Sequence, residues 1–195
     1  MAFLKLIRYP NLLLLIFMQL LFRYGFLNLQ GITLALTDFQ FGILVLSTAL
    51  IAAAGYIINN VFDKETDLIN NKNVIVGLSI SEEMAYNLYF GTTILGVLGV
   101  FYISNVIEKP SFALLFIVIS GTLYLYASSL KQSLLVGNFI VAILTAVSVL
   151  IIGVFDLLPM VNPENQMHLG LLFKILLDYA LFAFLINFIR EIVKD

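Results

Sequence analysis

The sequence predicts an all-α protein, a polytopic transmembrane helical bundle, and its composition is the first reason. Of its 195 residues, 62% are hydrophobic and 11% are charged, with a mean hydropathy of +1.06. Soluble domains average about 25% charged and about 45–50% apolar residues, and a fold of this size could not bury so much apolar surface. The apolar stretches approach the roughly 20 residues that a membrane helix needs and show no alternating pattern, which favours helices over barrel strands.

Six stretches are long and apolar enough to cross a membrane. They cover residues 11–36, 41–60, 84–105, 111–129, 133–155 and 169–190. The first lacks a small-residue cleavage site after it, so we interpret it as a membrane helix rather than a secretory signal.

Basic residues predict the orientation of the bundle. Most of them flank the spans on one side, where Lys5, Arg8, Lys64 and Lys131 lie, whereas Lys109 is in an opposite loop. Because cytoplasmic loops are enriched in Lys and Arg, we expect the N-terminus and the loop after the second span to be cytoplasmic. The expected location is the cell (inner) membrane.

Residue types that are scarce exclude several kinds of chemistry. The chain has no cysteine and a single histidine, His168, so disulfides, thiolate zinc sites and a Ser-His relay are disfavoured. A net charge of −2 gives no reason to expect a nucleic-acid partner. Carboxylates, amides, lysines and tyrosines remain, and they favour a hard cation such as Mg²⁺.

One polar run stands out at the end of the second span. Asn59, Asp63 and Asp67 recur every four residues. On a helix each step advances about 6 Å and turns about 40°, so the three side chains share one face. Such a stripe can ligate Mg²⁺ together with substrate phosphate oxygens. The alternative is an ordinary solvated helix end.

Three segments resemble the UbiA superfamily of intramembrane prenyltransferases. The first is the motif Asn59-x-x-x-Asp63-x-x-x-Asp67 with the residues that follow it. The others are LYLYASSLKQSLLVGN (123–138) and NFIREIVKD (187–195). The last is most similar to the branch that includes geranylgeranylglyceryl-phosphate transferases.

The resemblance implies a nine-helix fold, of which residues 1–195 would be a single membrane domain with six spans. It implies Mg²⁺-dependent transfer of a prenyl group from a polyprenyl diphosphate to an aromatic or glycerol-phosphate acceptor inside the membrane. By the same resemblance, Asn59, Asp63 and Asp67 are the catalytic Mg²⁺–diphosphate ligands. Three cations would contact the diphosphate: Lys194, Arg190 and Lys131.

The sequence also departs from the family pattern. The segment NNKNVIVG replaces elements that usually contain proline and arginine, and the sequence stops at Asp195, where a second aspartate motif would begin. We therefore expect little or no transferase activity from this chain alone. A catalytically inactive homologue and a non-enzymatic membrane subunit remain alternatives. A CDP-alcohol phosphotransferase is disfavoured, because Asn59 stands where that signature requires glycine.

Two charges lie deep within the predicted spans, and charges there are usually paired or functional. Arg23 and Asp178 both map near mid-depth, so we expect them to pair across the first and sixth helices. Separate polar partners are the alternative. The 17 Phe and 9 Tyr residues suit an apolar tunnel, and Tyr56, one turn before Asn59, is the aromatic that we single out. Packing or lipid contact is the other interpretation for these rings.

Overall fold

The computed structural model describes residues 1–69 and 74–194. Within these residues the chain forms eight α-helices. They are α1 (Ala2–Leu6), α2 (Tyr9–Gly25), α3 (Asp38–Phe62), α4 (Lys64–Ile69), α5 (Glu82–Val106), α6 (Ala113–Ser128), α7 (Leu134–Asp156) and α8 (Gln166–Lys194). Six of the described elements are long and apolar enough to cross a membrane, which confirms the predicted helical bundle.

The first span is shorter than the sequence predicted. Helix α2 ends at Gly25 and a 3₁₀ turn covers Leu27–Gln30. Gly31 then reverses the chain with φ of +65°, a conformation that glycine adopts without strain. Residues 31–36 therefore form a loop rather than the end of a membrane helix.

Helix α3 starts earlier than predicted because it has a capping box. The Thr37 hydroxyl accepts a hydrogen bond from the Gln40 amide (3.3 Å), and the Gln40 side chain accepts one from the Thr37 amide (2.8 Å). These bonds satisfy amides that a helix N-terminus leaves unpaired. Ser81 caps α5 in a similar way, since its hydroxyl accepts a hydrogen bond from the Met84 amide.

Helix α3 lies at the centre of the bundle. Two-thirds of its most apolar window (67%) is buried, more than in any other of the described spans. It packs most extensively against α5, where a Cβ on Gly96 would lie 2.8 Å from Ile51. The two helices approach closely because this side chain is absent. Asn59 is thus carried on the most firmly held helix.

Arg23 does not pair with Asp178, and that prediction was wrong. The Arg23 guanidinium instead forms an ion pair with Asp156, at the end of α7, and its Nη2 donates to the Leu36 carbonyl at 2.6 Å. Arg23 is 3% exposed and Asp156 fully buried. The early end of α2 places Arg23 at the level of the α7 terminus rather than at mid-depth. Asp178 is exposed on α8.

Candidate functional site

The predicted polar run crosses a break between two helices. Asp63 lies between α3 and α4 with near-helical φ and ψ of −82° and −8°. Its amide donates to the Asn59 carbonyl (2.9 Å), and the Asp67 amide donates to the Asp63 carbonyl (2.8 Å). The four-residue backbone hydrogen bonds thus continue through Asp63. The spacing on which the prediction depended is retained.

Asp63 brings together groups from two separate parts of the chain. One carboxylate oxygen accepts from the Asn59 amide nitrogen at 2.6 Å, and the other lies 2.5 Å from Lys131 Nζ. Lys131 comes from the short turn Leu130–Gln132, just before α7. The side chains of Asp63 and Lys131 are 27% and 18% exposed, so the pair borders solvent. Three of the predicted site residues are therefore in contact.

The oxygen atoms of this cluster suit a hard cation. Asn59 Oδ1 is buried and has no hydrogen-bond partner within the described part of the chain. A buried acceptor without a partner is costly, so this amide oxygen is suited to an incoming ligand. The described residues contain no group of three acidic, histidine or cysteine side chains that could hold a metal. Mg²⁺, however, usually takes only one or two protein carboxylates and completes its shell with substrate oxygens and water.

Asn59 also lines a cavity of about 740 Å³ between α2, α3, α6, α7 and α8. Polar side chains lie at one end, namely Arg8, Asn11, Tyr56, Asn59, Asn187, Arg190 and Glu191. The rest of the wall is mostly apolar and includes Leu15, Met18, Ile51, Phe116, Leu144 and Ile151. Thr48, deep in the cavity, lies 11 residues before Asn59, or about 16 Å along the helix. The cavity is thus a long apolar space with a polar mouth.

The end of α8 forms the opposite side of this mouth. Arg190 Nη2 lies 2.8 Å from Glu191 Oε1, and the Glu191 side chain is only 10% exposed. The family resemblance assigned Arg190 to the diphosphate, and Arg190 lines the same cavity as Asn59. The side chain of Lys194 lies outside the described residues. Asp67, half-buried on α4, does not line the cavity.

Sequence reasoning missed Arg8, Asn11 and Glu191 as residues of the mouth. The Arg8 guanidinium lies over the Tyr56 ring at 5.4 Å, and Asn11 Nδ2 donates to the Tyr56 hydroxyl at 3.3 Å. Arg8 and Asn11 lie at the start of the first apolar stretch. This position at the edge of a predicted span was the one sequence feature that could have indicated them. Tyr56, the aromatic that the sequence analysis singled out, lines the same cavity as Asn59.

The aromatic residues divide between the cavity and the outer surface. Tyr56, Phe116 and Tyr126 line the cavity. Phe90 and Phe101, by contrast, are more than half exposed on α5. The idea that the many aromatic residues form a tunnel therefore applies to a minority of these rings.

Together these features define a polytopic membrane protein with an internal apolar cavity and a polar, charged mouth at one end of the bundle. The model of the UbiA prenyltransferase family matches residues 12–195, and the chain belongs to this family.

Curated relatives come from several microorganisms. The digeranylgeranylglyceryl phosphate synthase of Saccharolobus solfataricus is 32% identical over 170 residues, which cover 87% of this chain and 51% of the relative. The protein of the same name from Sulfolobus acidocaldarius is 40% identical over 110 residues, covering 53% of this chain and 36% of the relative. The chain spans about half the length of the first of these relatives.

A solved structure has the same fold. It comes from work on the biosynthesis of digeranylgeranylglyceryl phosphate synthase in membranes. The TM-score is 0.70 at 25% identity, and the match covers all of this chain (100%) and 61% of the other. The six described spans thus correspond to a large part of a known membrane fold.

Proposed function

We propose that this chain forms the part of an intramembrane prenyltransferase that binds a prenyl diphosphate. The observation that carries the proposal is the position of Asn59, which lines the apolar cavity and contacts Asp63 at its mouth. The cavity would hold the isoprenoid tail, and the polar mouth would hold the diphosphate. Family membership and the relatives that share the name digeranylgeranylglyceryl phosphate synthase support this function.

Asn59, Asp63 and Asp67 would bind the diphosphate through Mg²⁺. The unpartnered Asn59 oxygen and the Asp63 carboxylate are the hard donors that such an ion takes. When bound, the ion supplies charge neutralisation that makes the diphosphate a better leaving group.

The chain's own residues would do the remaining work. Lys131, which pairs with Asp63, would turn toward the diphosphate and donate to its oxygens. Arg190 and Lys194 would approach from α8. The apolar wall around Met18 and Ile151 would keep water from the reacting carbon.

The acceptor that we favour is a glycerol phosphate carrying one prenyl chain, rather than an aromatic ring. The favouring observation is that the matched relatives are digeranylgeranylglyceryl phosphate synthases. The distribution of basic residues supports a mouth on the cytoplasmic side of the cell membrane.

Binding of radiolabelled geranylgeranyl diphosphate to the purified chain in detergent tests the proposal. We expect Mg²⁺-dependent binding that Asp63→Asn weakens about tenfold or more, because a charge-assisted contact to the metal–diphosphate unit is lost. Glu65→Gln is the matched control, since Glu65 is an exposed acid two residues away and off the stripe. Binding that ignores Mg²⁺, or that both variants weaken equally, would contradict the proposal.

A further inference from the structure

Two arginines line the cavity, and they differ in their partners. Arg190 is paired with Glu191 at 2.8 Å. Arg8 has no carboxylate partner within residues 1–69 and 74–194, and its guanidinium lies over the face of the Tyr56 ring. An unneutralised guanidinium on a cavity wall is available to an anionic ligand.

The groups around Arg8 are suited to an oxyanion. Asn11 and Tyr56 are joined by a hydrogen bond of 3.3 Å, and both line the cavity beside Arg8. A guanidinium, an amide and a phenol all carry N–H or O–H donors, and no carboxylate of the described chain contacts Arg8. This cluster can therefore bind a phosphate directly, whereas the Asn59–Asp63 cluster needs a cation to do so.

The backbone holds Arg8 in an uncommon conformation. Its φ is +47°, in the left-handed region that non-glycine residues seldom adopt. This residue directly precedes α2, and its side chain does not cap that helix. A basic residue at a helix N-terminus is also unfavourable for the helix dipole. Neither feature is explained by the stability of α2, and with this backbone conformation the Arg8 side chain lines the cavity.

The cluster of Arg8, Asn11 and Tyr56 is separate from the metal motif, but it lines the same cavity as Asn59 of that motif. Tyr56 and Asn59 are three residues apart on α3, so they face the same mouth in adjacent directions. Lys131 contacts the Asp63 side of this mouth. Two anionic substrates that react together need separate cationic groups, because one group alone leaves their mutual repulsion uncompensated.

We propose that Arg8, Asn11 and Tyr56 form a second anion subsite, which binds the phosphate monoester of the acceptor. This inference rests on the proposed function and adds to it the residues that recognise the acceptor. A phospholipid headgroup carries similar chemistry, and the experiment below separates the two sources.

The test compares two lipids in phospholipid-free detergent, geranylgeranylglyceryl phosphate and neutral geranylgeranylglycerol. We expect the wild-type chain to bind the phosphorylated lipid about tenfold more tightly, a preference that Arg8→Gln reduces to about twofold. Arg8→Lys should keep part of the preference, because the charge remains while the fork of donors is lost. Lys5→Gln removes an exposed charge on α1, outside the cavity, and should change nothing.

Several outcomes would overturn the inference. One is that the Arg8→Gln variant keeps the wild-type preference for the phosphorylated lipid. Another is that Lys5→Gln reduces this preference as much as Arg8→Gln does. A matching loss of Mg²⁺-dependent geranylgeranyl diphosphate binding in Arg8→Gln would assign Arg8 to the diphosphate instead. Binding of phosphatidylglycerol nanodiscs that depends on Arg8, without any effect in detergent, would assign it to headgroups. If the wild type binds no diphosphate at all, the proposed function fails instead.

Discussion

Asp63 and Asp156 each pair with a cation, and their burial separates their roles. The Asp156–Arg23 pair is almost fully buried, with 0% and 3% of the two side chains exposed. The Asp63–Lys131 pair is 27% and 18% exposed. A buried pair is held firmly because either charge alone would be desolvated, whereas a pair that borders water can exchange partners. We therefore propose that the Asp156–Arg23 pair has a structural role. The Asp63–Lys131 pair, by contrast, can open when a ligand binds.

Breaking the buried pair should destabilise the bundle strongly. We expect Asp156→Asn to lower the free energy of unfolding by about 3 kcal/mol, because the buried Arg23 guanidinium then keeps only the exposed Asp38 carboxylate, 3.5 Å away, as an ionic partner. Unfolding in mixed detergent micelles, followed by circular dichroism, measures this change. The combined variant with Arg23→Gln should cost less than the sum of the two single variants.

Asp178→Asn is the matched control for that experiment. Asp178 is exposed on α8 and does not contact Arg23, so its loss should have a small effect. An effect as large as that of Asp156→Asn would show that the wrong carboxylate has been identified.

Replacing Lys131 should affect binding more than stability. We expect Lys131→Ala to weaken Mg²⁺-dependent geranylgeranyl diphosphate binding about tenfold, because one charge-assisted contact is removed. The unfolding free energy should change by no more than about 1 kcal/mol, since the pair borders solvent. Lys64→Ala provides the comparison, because Lys64 pairs with Glu82 at 3.2 Å near the same end of the bundle. Equal binding losses in both variants would indicate a general effect of surface charge.

At the scale of the helices, the ends of the spans decide where charges lie. The sequence of residues 11–36 is apolar enough to pass for one continuous span, but the reversal at Gly31 shortens it. This difference explains why Arg23 was placed at mid-depth and given the wrong partner. Hydropathy measures how apolar a stretch is, and it contains little information on where the backbone turns.

The Thr37 cap should contribute measurably to α3. We expect Thr37→Ala to destabilise the bundle by about 1 kcal/mol, because the Gln40 amide loses its acceptor. Ser133 has the same position before α7 but makes no capping hydrogen bond through its side chain. Ser133→Ala should therefore be nearly neutral in the same unfolding measurement. Equal losses in the two variants would contradict the role of the capping box.

At the scale of the whole molecule, the helical bundle could be predicted because composition alone requires a lipid environment. The pairing of Asn59 with Asp63 follows from their spacing on one helix, which the sequence displays. The contact of Lys131 with Asp63 spans 68 positions, and it was not predicted, because the family resemblance assigned Lys131 to the diphosphate and not to Asp63. The position of Arg8 over the Tyr56 ring accompanies a left-handed backbone at Arg8, which no sequence pattern reveals.

The orientation of the bundle can be tested because the chain has no cysteine. Single cysteines at Glu83 and Glu164 would lie at opposite ends, since α5 begins beside the former and the latter lies between α7 and α8. We expect a membrane-impermeant maleimide to label Glu83→Cys from the cytoplasmic side and Glu164→Cys from the other side. Labelling in the reverse sense would refute the predicted orientation, and labelling of both from one side would refute the order of spans.

The cavity has one further consequence, which concerns the length of the molecule that it can hold. Two of the residues that line it on α3 are small, namely Ala52 and Gly55. Larger side chains at these positions would reduce the volume of the cavity. Under the proposed function, the size of these two residues would limit the length of the isoprenoid tail that the cavity can hold. A larger residue at position 52 would shorten the longest prenyl chain that fits, while the chemistry at the mouth stays the same. Chain-length preference could thus evolve independently of the diphosphate site.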